Sequence, residues 1–203
     1  SGMLAATQDY DVGGMQLPYV VELAANAFFA KAGIGLGGGG MLTVGNANLL
    51  LAHGTPRQKA VFAQREIDGK WFGTMCLSAP QAGSSLSDIL TRASPDGDDS
   101  AQDPLGPRYR LTGNKMWISN GEHDLSENIV HLVLAKIPGG PPGSKGISLF
   151  IVPRRHVDAE GRAGERNGVT LLGLNHKLGT HGQVNCLLGF GEKPIPERPG
   201  MRS

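Results

Sequence analysis

The fold is decided by the stretch Met75-Cys76-Leu77-Ser78-Ala79-Pro80-Gln81-Ala82-Gly83-Ser84-Ser85. It begins with the two-residue alternation of a β-strand, is interrupted by a proline, and continues as a loop of small residues. Side chains this small leave backbone N–H groups and hydroxyl groups open to a ligand. We therefore expect a strand that ends in a ligand-binding loop.

The residues before this stretch follow helical spacing instead. Apolar side chains recur at intervals of three and four residues in 17–32, 42–52 and 56–67. Pro18 and Pro56 suit the first turns of helices, where a missing N–H costs nothing, and Thr55 is the expected N-cap of the third helix. The glycine-rich run 35–40 is expected to end the first helix. We predict three helices joined by short connections, without catalytic chemistry of their own.

From position 70 onward the apolar residues follow a period of two. Trp71 and Met75 then fall on one side of the predicted strand, and Cys76 and Ser78 fall on the other. Ser78 is thereby presented on a defined face. A serine that ends a strand and bonds only to neighbouring backbone explains the same pattern, so both interpretations stay open.

A second stretch, Lys115-Met116-Trp117-Ile118-Ser119-Asn120-Gly121, is the predicted companion of the first. The apolar parity switches across Gly113-Asn114, which predicts a tight hairpin turn there. Trp117 and Ser119 then share one face, opposite Ile118. Tryptophan offers a flat surface to a planar ligand and serine offers a hydroxyl to its edge. An ordinary packed tryptophan beside a surface serine fits the pattern equally well.

Four further strands are predicted at 129–137, 146–153, 168–174 and 184–190. The first of these is apolar on both faces and is expected to be central in its sheet. Turn residues about every ten positions favour an antiparallel barrel or sandwich. The predicted fold class is therefore α+β, with a helical segment followed by an antiparallel β-barrel or sandwich domain. The proline-rich segment 193–199 is expected to be an extended tail.

Composition narrows the function classes. The 203 residues carry a net charge of +1, which gives no electrostatic reason to expect nucleic acid or an anionic membrane as a partner. Apolar runs are too short and too often interrupted for a membrane span, and the start lacks the pattern of a signal peptide. The two cysteines, Cys76 and Cys186, lie in apolar strand-like runs, as expected for a reduced cytoplasmic protein without a disulfide framework.

Several common catalytic and binding motifs are missing from the sequence. The six histidines have no cysteine or carboxylate partners at a recognised metal-binding spacing, so no metal site is predicted. Neither a G-x-x-x-x-G-K-[ST] phosphate loop nor a G-x-S-x-G nucleophile turn occurs. No residue is therefore assigned as a catalytic nucleophile or base.

Four motifs, in order along the chain, resemble the acyl-CoA dehydrogenase family. Residues 76–85 resemble its pattern C-[VL]-T-E-P-x-A-G-S-D, and residues 115–121 resemble K-x-[WF]-I-[ST]-[NG]-[GA]. Residues 109–115 are similar to Y-x-L-[NT]-G-x-K, and residues 53–59 resemble the helix start G-[TS]-x-x-Q-K. Residues 121–131 and 146–150 resemble the larger bacterial branch, which includes 3-methylmercaptopropionyl-CoA dehydrogenases.

The resemblance implies a domain organisation and a flavin site. Residues 1–73 would be the C-terminal part of an N-terminal helical domain, 74–192 the middle β-domain, and 193–203 the tail. Ser78 would bond to the edge of the flavin ring, Trp117 would cover a ring face, and Ser119 would bond near the reactive nitrogen. Ser84 would lie near the phosphates and would also contact the acyl-CoA substrate. The full set of residues implied to bind FAD is Met75, Cys76, Leu77, Ser78, Gly83, Ser84, Trp117, Ile118 and Ser119.

The resemblance also implies a reaction. A glutamate takes the α-proton of an acyl-CoA thioester, and a hydride moves from the β-carbon to the flavin. That glutamate belongs to a C-terminal helical domain, and no residue of this sequence matches its position, so the 203 residues alone are expected to be inactive. The implied partners are electron-transfer flavoprotein, as electron acceptor, and further copies of the full-length chain. A non-catalytic or DNA-protecting flavoprotein relative is the alternative.

Two positions depart from the family pattern. Ala79 stands where the family usually has glutamate, and Ser85 stands where it often has aspartate. Each change removes a charged acceptor that helps to shape the loop. A weakened FAD site and a divergent member of the family are the two expected alternatives.

Overall fold

The computed structural model describes residues 2–191, and its first third is helical. The predicted tail at 193–199 lies outside the described residues. Short 3-10 helices occur at Met3–Ala5, Tyr10–Val12, Leu86–Asp88, Ser100–Gln102 and Gly143–Gly146. The longer helical segments are α1 Tyr19–His53, α2 Pro56–Gln58, a π-helical segment Lys59–Ala63 and α3 Gln64–Ile67.

The predicted start at Thr55 and Pro56 is confirmed, with a full capping box. The Thr55 hydroxyl accepts a bond from the N–H of Gln58 at 3.2 Å, and the Gln58 Oε1 accepts the N–H of Thr55 at 2.9 Å. Such a cap stabilises a helix by about 1 kcal/mol. Within the described residues, no helix has both the length and the apolar character needed to cross a membrane.

The predicted end of the first helix at residue 32 is confirmed, because Gly33 has extended backbone geometry and separates two helical parts of α1. The glycine-rich run 35–40 does not make this break, since it is itself helical and belongs to the second part, which continues to His53. Only Gly33 leaves helical geometry, and it marks a kink. The later glycines serve close packing. A methyl group at Gly39 would lie 2.3 Å from the Asn120 side chain, and one at Gly38 would lie 2.6 Å from Gln183. These glycines therefore bring the helix close to neighbouring loops, and they do not end it.

Nine strands follow the helices in the part of the chain that the structure describes. Those predicted at 129–137, 146–153, 168–174 and 184–190 are all found within about one residue of the expected bounds. Three short strands, at residues 92–95, 155–157 and 163–166, were not predicted. The strands are β1 Trp71–Cys76, β2 Arg92–Pro95, β3 Tyr109–Ser119, β4 Asn128–Lys136, β5 Ile147–Pro153, β6 Arg155–Val157, β7 Ala163–Arg166, β8 Val169–Leu174 and β9 Asn185–Phe190.

The main sheet is mixed, which corrects the prediction of a purely antiparallel one. Its order is β1-β4-β2-β3-β9-β8, with β5 also paired to β4. Strand β1 runs parallel to β4 along its whole length, from Trp71 opposite Asn128 to Cys76 opposite Val133. Turn counting predicted antiparallel pairs because it assumes that neighbours in sequence also pair. Here β2 and β3 lie between β1 and β4 in the sequence, although β1 and β4 are neighbours in the sheet. Strand β4 is central, as predicted.

The predicted hairpin at Gly113-Asn114 is also wrong, because β3 runs through both residues. Up to Thr112 the strand pairs with β2, and from Gly113 it pairs with β9. Gly113 has φ 137°, and a methyl group there would lie 2.9 Å from the Cα of Thr91. The switch in apolar parity therefore marks a change of pairing partner, which glycine permits.

Two apolar clusters hold the helices and the sheet together. The first joins α1, the π-helical segment and strands β1 and β4 through Leu50, Phe62, Trp71 and Leu132. Asn46 reinforces this contact, since its Nδ2 donates to the Thr74 carbonyl at 3.2 Å and to the Val130 carbonyl at 2.8 Å. The second cluster lies between β1, β3, β4, β8 and β9 and consists of Cys76, Ile118, Val133, Val169, Cys186, Leu188 and Phe190.

Candidate functional site

The two motif-bearing stretches meet where β1 ends beside β3. The backbone N–H of Met116 donates to the Ser78 carbonyl at 3.0 Å. The side chain of the preceding residue, Lys115, donates from Nζ to the Leu77 carbonyl, also at 3.0 Å. Two consecutive residues of β3 thus hold the first two residues after β1. The predicted neighbourhood of the two stretches is therefore present in the structure.

Trp117 projects outward from a β-bulge in β3. Between Lys115 and Ile118 the strand gains one residue relative to β9, because Lys115 pairs with Leu188 and Ile118 pairs with Cys186. Trp117 has φ 65°, which is rare for an aromatic residue, and its side chain is 56% exposed. Bulges redirect side chains, and strained residues of this kind cluster at ligand sites. The bulge therefore presents a flat apolar surface to whatever approaches this face.

The other predicted site residues around the bulge differ in how far they are exposed to solvent. Met75 is exposed, and Leu77, Ser78 and Ser119 are half-buried. Cys76 and Ile118 are fully buried in the second apolar cluster. The side chains of these two residues are closed to a ligand.

A tight turn follows Ser78 and separates it from the predicted phosphate-binding residues. Ala79 and Ala82 exchange two backbone hydrogen bonds, of 2.8 and 3.0 Å, and both pack against Ile89. Ala79 is thus a small apolar side chain inside a packed turn, at the position where the family pattern has glutamate. Gly83 and Ser84 lie beyond the turn, both exposed. Within residues 2–191, no hydrogen bond links Ser84 to the second motif stretch, 115–121.

The titratable groups beneath the site are held in their neutral forms or shifted towards them. Burial raises the pKa of the Cys76 thiol to about 12. Burial lowers the pKa of His131 to about 3, and its Nδ1 lies 2.7 Å from the Thr74 hydroxyl. Burial also lowers the pKa of Lys115 to about 8, against an opposing effect of Cys76. A protonated thiol and a neutral imidazole, both sealed from solvent, are poorly placed for acid–base work on a ligand.

The loop after β3 is held by Arg154. Its Nη1 donates to Glu122 Oε1 at 2.8 Å and to the His123 carbonyl, and its Nη2 donates to the Ser126 carbonyl at 3.2 Å. Arg166 bonds to the other oxygen of Glu122. At the start of the loop, the Asn120 N–H donates to the carbonyl of Val184 at 2.9 Å. The loop that follows Ser119 is therefore held at its start by the backbone of Val184, which precedes β9, and further along by Arg154.

Sequence reasoning missed the roles of Lys115 and Arg154. A charged residue inside a strand was the available signal for Lys115, which begins the second motif. Arg154 gave no signal, because its carboxylate partner lies 32 residues away in sequence. Contacts this distant follow from the sheet topology alone.

The chemistry of this face suits a planar ring with polar edges. Trp117 offers an exposed flat surface, and Ser78 and Ser119, both half-buried, each carry a hydroxyl within the two stretches that meet here. Within the described part of the chain, the Ser78 N–H has no acceptor, so it is available as a donor. At Gly83 a methyl group would meet no atom within 4 Å, which leaves the backbone there open.

Comparison with known proteins gives the same answer as the motifs. A sequence profile of the acyl-CoA dehydrogenase middle domain matches residues 74–191. The chain is 40% identical, over 88% of its length, to 3-methylmercaptopropionyl-CoA dehydrogenase of Ruegeria pomeroyi, of which it spans 29%.

Solved structures agree with the fold. The acyl-CoA dehydrogenase of Geobacillus kaustophilus matches 93% of this chain with a TM-score of 0.72 at 28% identity, and the match covers 44% of that protein. A Bacillus anthracis acyl-CoA dehydrogenase, solved with FAD, has the same fold at 24% identity, with a TM-score of 0.72 over 93% of this chain and 28% of its own. The predicted fold type is thereby confirmed.

Proposed function

The chain belongs to the acyl-CoA dehydrogenase family, and we propose that it supplies the flavin-facing part of an FAD-dependent enzyme that introduces a 2,3-double bond into an acyl-CoA thioester. One observation carries the proposal: the hydrogen bond from the Met116 N–H to the Ser78 carbonyl. It joins the two family motifs, one of which carries the exposed ring of Trp117 and the other the Ser78 N–H, which has no acceptor among residues 2–191. A flavin needs this combination of a flat surface and edge donors.

FAD, when bound, supplies the acceptor for the substrate hydride. Of the residues named above, Trp117 covers one face of the ring, and Ser78 and Ser119 bond to its polar edge. Gly83 and Ser84 approach the phosphates through open backbone and a hydroxyl. Met75 and Leu77 line the ring with exposed atoms, and Cys76 and Ile118 contribute backbone only. These residues bind and orient the cofactor and shield one of its faces from water.

The acyl-CoA substrate lies against the same surface, with Ser84 as a contact. The α-proton must go to a base, and the buried groups beneath the site are unsuited to receive it. We therefore assign no catalytic base within this chain and expect no dehydrogenation by the 203 residues alone. Electron-transfer flavoprotein is the proposed acceptor of the electrons, and the full-length protein is proposed to be a homo-oligomer.

The test uses protein expressed from the complete open reading frame. We expect it to be yellow and to lose its flavin absorbance when an acyl-CoA is added without oxygen. The panel contains 3-methylmercaptopropionyl-CoA and straight-chain acyl-CoAs of increasing length. Added electron-transfer flavoprotein should restore the absorbance.

Two variants sharpen this test. Trp117→Ala should weaken FAD binding about tenfold, because it removes the stacking surface. Tyr10→Ala is the matched control, since Tyr10 is 70% exposed in the N-terminal segment. Protein that stays colourless after incubation with FAD would overturn the proposal. Salt-dependent DNA binding without turnover would instead favour the non-catalytic relative.

A further inference from the structure

Lys115 is a buried cation beneath the proposed flavin surface. Its side chain is 0% exposed, and its Nζ donates to the Leu77 carbonyl at 3.0 Å. Among residues 2–191 no carboxylate forms an ion pair with it. A buried ammonium that has one carbonyl acceptor and no opposite charge is costly to the folded state. A chain that only had to fill this space could do so with methionine.

The hydrogen bond from Lys115 fixes the direction of one peptide unit. The Leu77 carbonyl and the Ser78 N–H belong to the same planar peptide, and no peptide bond of the described chain is cis. In a trans peptide the C=O and the N–H point in opposite directions. Because the carbonyl points inward to Lys115, the N–H points away from it. This is the N–H that has no acceptor in the described chain.

The next residue of β3 secures the same place. The Met116 N–H donates to the Ser78 carbonyl, which belongs to the next peptide unit, so two consecutive peptide units are each held by a bond from adjacent residues of β3. The residue after Met116 is Trp117, whose ring is exposed through the bulge. Three consecutive residues thus have separate roles. Lys115 holds the Leu77 carbonyl, Met116 holds the Ser78 carbonyl, and Trp117 provides the flat surface.

We propose that Lys115 is a positioning residue, which holds the Leu77–Ser78 peptide so that the Ser78 N–H points at the polar edge of the flavin ring. The identity of the ligand rests on the function proposed above, whereas the orientation of the peptide does not. Without the ammonium, the Leu77 carbonyl would be left without a donor. Rotation of the peptide would relieve this by turning the carbonyl towards solvent, and it would withdraw the N–H from the ring.

Lys115→Met tests the proposal, because it keeps an unbranched side chain that is only one atom shorter and removes the donor and the charge. Lys70→Met is the matched control, since Lys70 is exposed and pairs only with Asp68, at 3.8 Å. FAD affinity is measured by titrating the flavin-free, full-length protein with FAD. We expect Lys115→Met to bind FAD roughly tenfold more weakly, which corresponds to the loss of one hydrogen bond, and Lys70→Met to bind it as the wild type does.

Two readouts separate positioning from a merely structural role. The melting temperature of Lys115→Met should not fall, because an unpaired buried charge is removed. Crystal structures of both flavin-free proteins should show the Leu77 carbonyl towards Lys115 in the wild type and rotated away in the variant. If Lys115→Met does not fold, Lys115→Gln replaces it, with the same expected direction of change.

The outcomes distinguish this inference from the proposed function. A wild-type protein without affinity for FAD would overturn the proposed function. The orientation of the Leu77–Ser78 peptide in the two crystal structures would still decide whether Lys115 positions that peptide. Unchanged affinity together with an unchanged peptide would overturn the role of Lys115. So would a lower melting temperature with the peptide in place, because Lys115 would then only support the fold.

Discussion

Lys115 and Arg154 are two buried cations of the same domain with very different surroundings. Arg154, 3% exposed, meets the carboxylate of Glu122 and several carbonyls of the loop after β3. Lys115, fully buried, meets one carbonyl beside the proposed flavin surface. Arg154 has the several partners expected of a residue that stabilises a loop. Lys115 has a single partner, which is enough to orient one peptide. The set of partners therefore distinguishes the roles of two charges whose burial is nearly the same.

Glu66 adds a third case, a buried acid without partners. Within the described chain, neither of its carboxylate oxygens has a hydrogen-bond partner. Burial raises the pKa of this carboxyl well above its usual range. A methyl group at Gly73 would lie 2.6 Å from Glu66 Oε1, so strand β1 passes very close to it. A raised pKa favours the neutral carboxyl, which needs no charged partner of the kind that Arg154 finds in Glu122.

The largest expected effect is that of Arg154→Met. Its loss leaves Glu122 without its buried partner and several loop carbonyls without a donor. We expect the free energy of unfolding to fall by about 3–5 kcal/mol, measured by urea denaturation. Arg110→Met is the control, since Arg110 is exposed and pairs only with Asp96. An equal loss in both variants would show that burial adds nothing to the Arg154 network.

Glu66→Gln should have a smaller effect of the opposite sign. Because the pKa of Glu66 is raised on folding, its contribution is complete below the pKa of the unfolded chain and is lost as the pH rises through the folded pKa. Glutamine does not ionise, so the substitution removes this loss of stability with rising pH. We expect stability at pH 7 to rise by on the order of 1 kcal/mol, with a shallower decline as the pH rises above the ordinary pKa range of a carboxyl.

The control for this pH series is Glu165→Gln, because Glu165 is exposed. Urea midpoints at several pH values provide the measurement. The same slope in Glu66→Gln and in the wild type would mean that Glu66 finds a partner in solution.

Arg166→Met should have the smallest effect, although Arg166 bonds to the same carboxylate as Arg154. The Arg166 side chain is about half exposed, so solvent and salt screen its ion pair with Glu122. We expect a loss below about 1 kcal/mol that disappears in high salt. A loss as large as that of Arg154→Met, and insensitive to salt, would mean that the whole network acts as one unit.

Local chemistry predicted much of this domain. The helix start at Thr55 and Pro56 and the strand at 129–137 were predicted from residue type and side-chain spacing, because each depends on residues close in sequence. The predictions failed where a distant contact overrides the local one. The glycines after Gly33 stay helical because α1 packs against loops near Asn120 and Gln183. The switch at Gly113 is a change of strand partner, which turn chemistry cannot distinguish from a hairpin.

The sequence by itself determined the family, the main strands and the two stretches that meet at the site, since motif spacing and two-residue alternation are local properties. The tertiary structure alone decided that β1 and β4 are parallel, that Trp117 leaves its strand at a bulge, and that Lys115 reaches the Leu77 carbonyl 38 residues away. Each of these depends on which strands become neighbours. That choice is made by burying the apolar faces of the whole sheet together, so no local pattern records it.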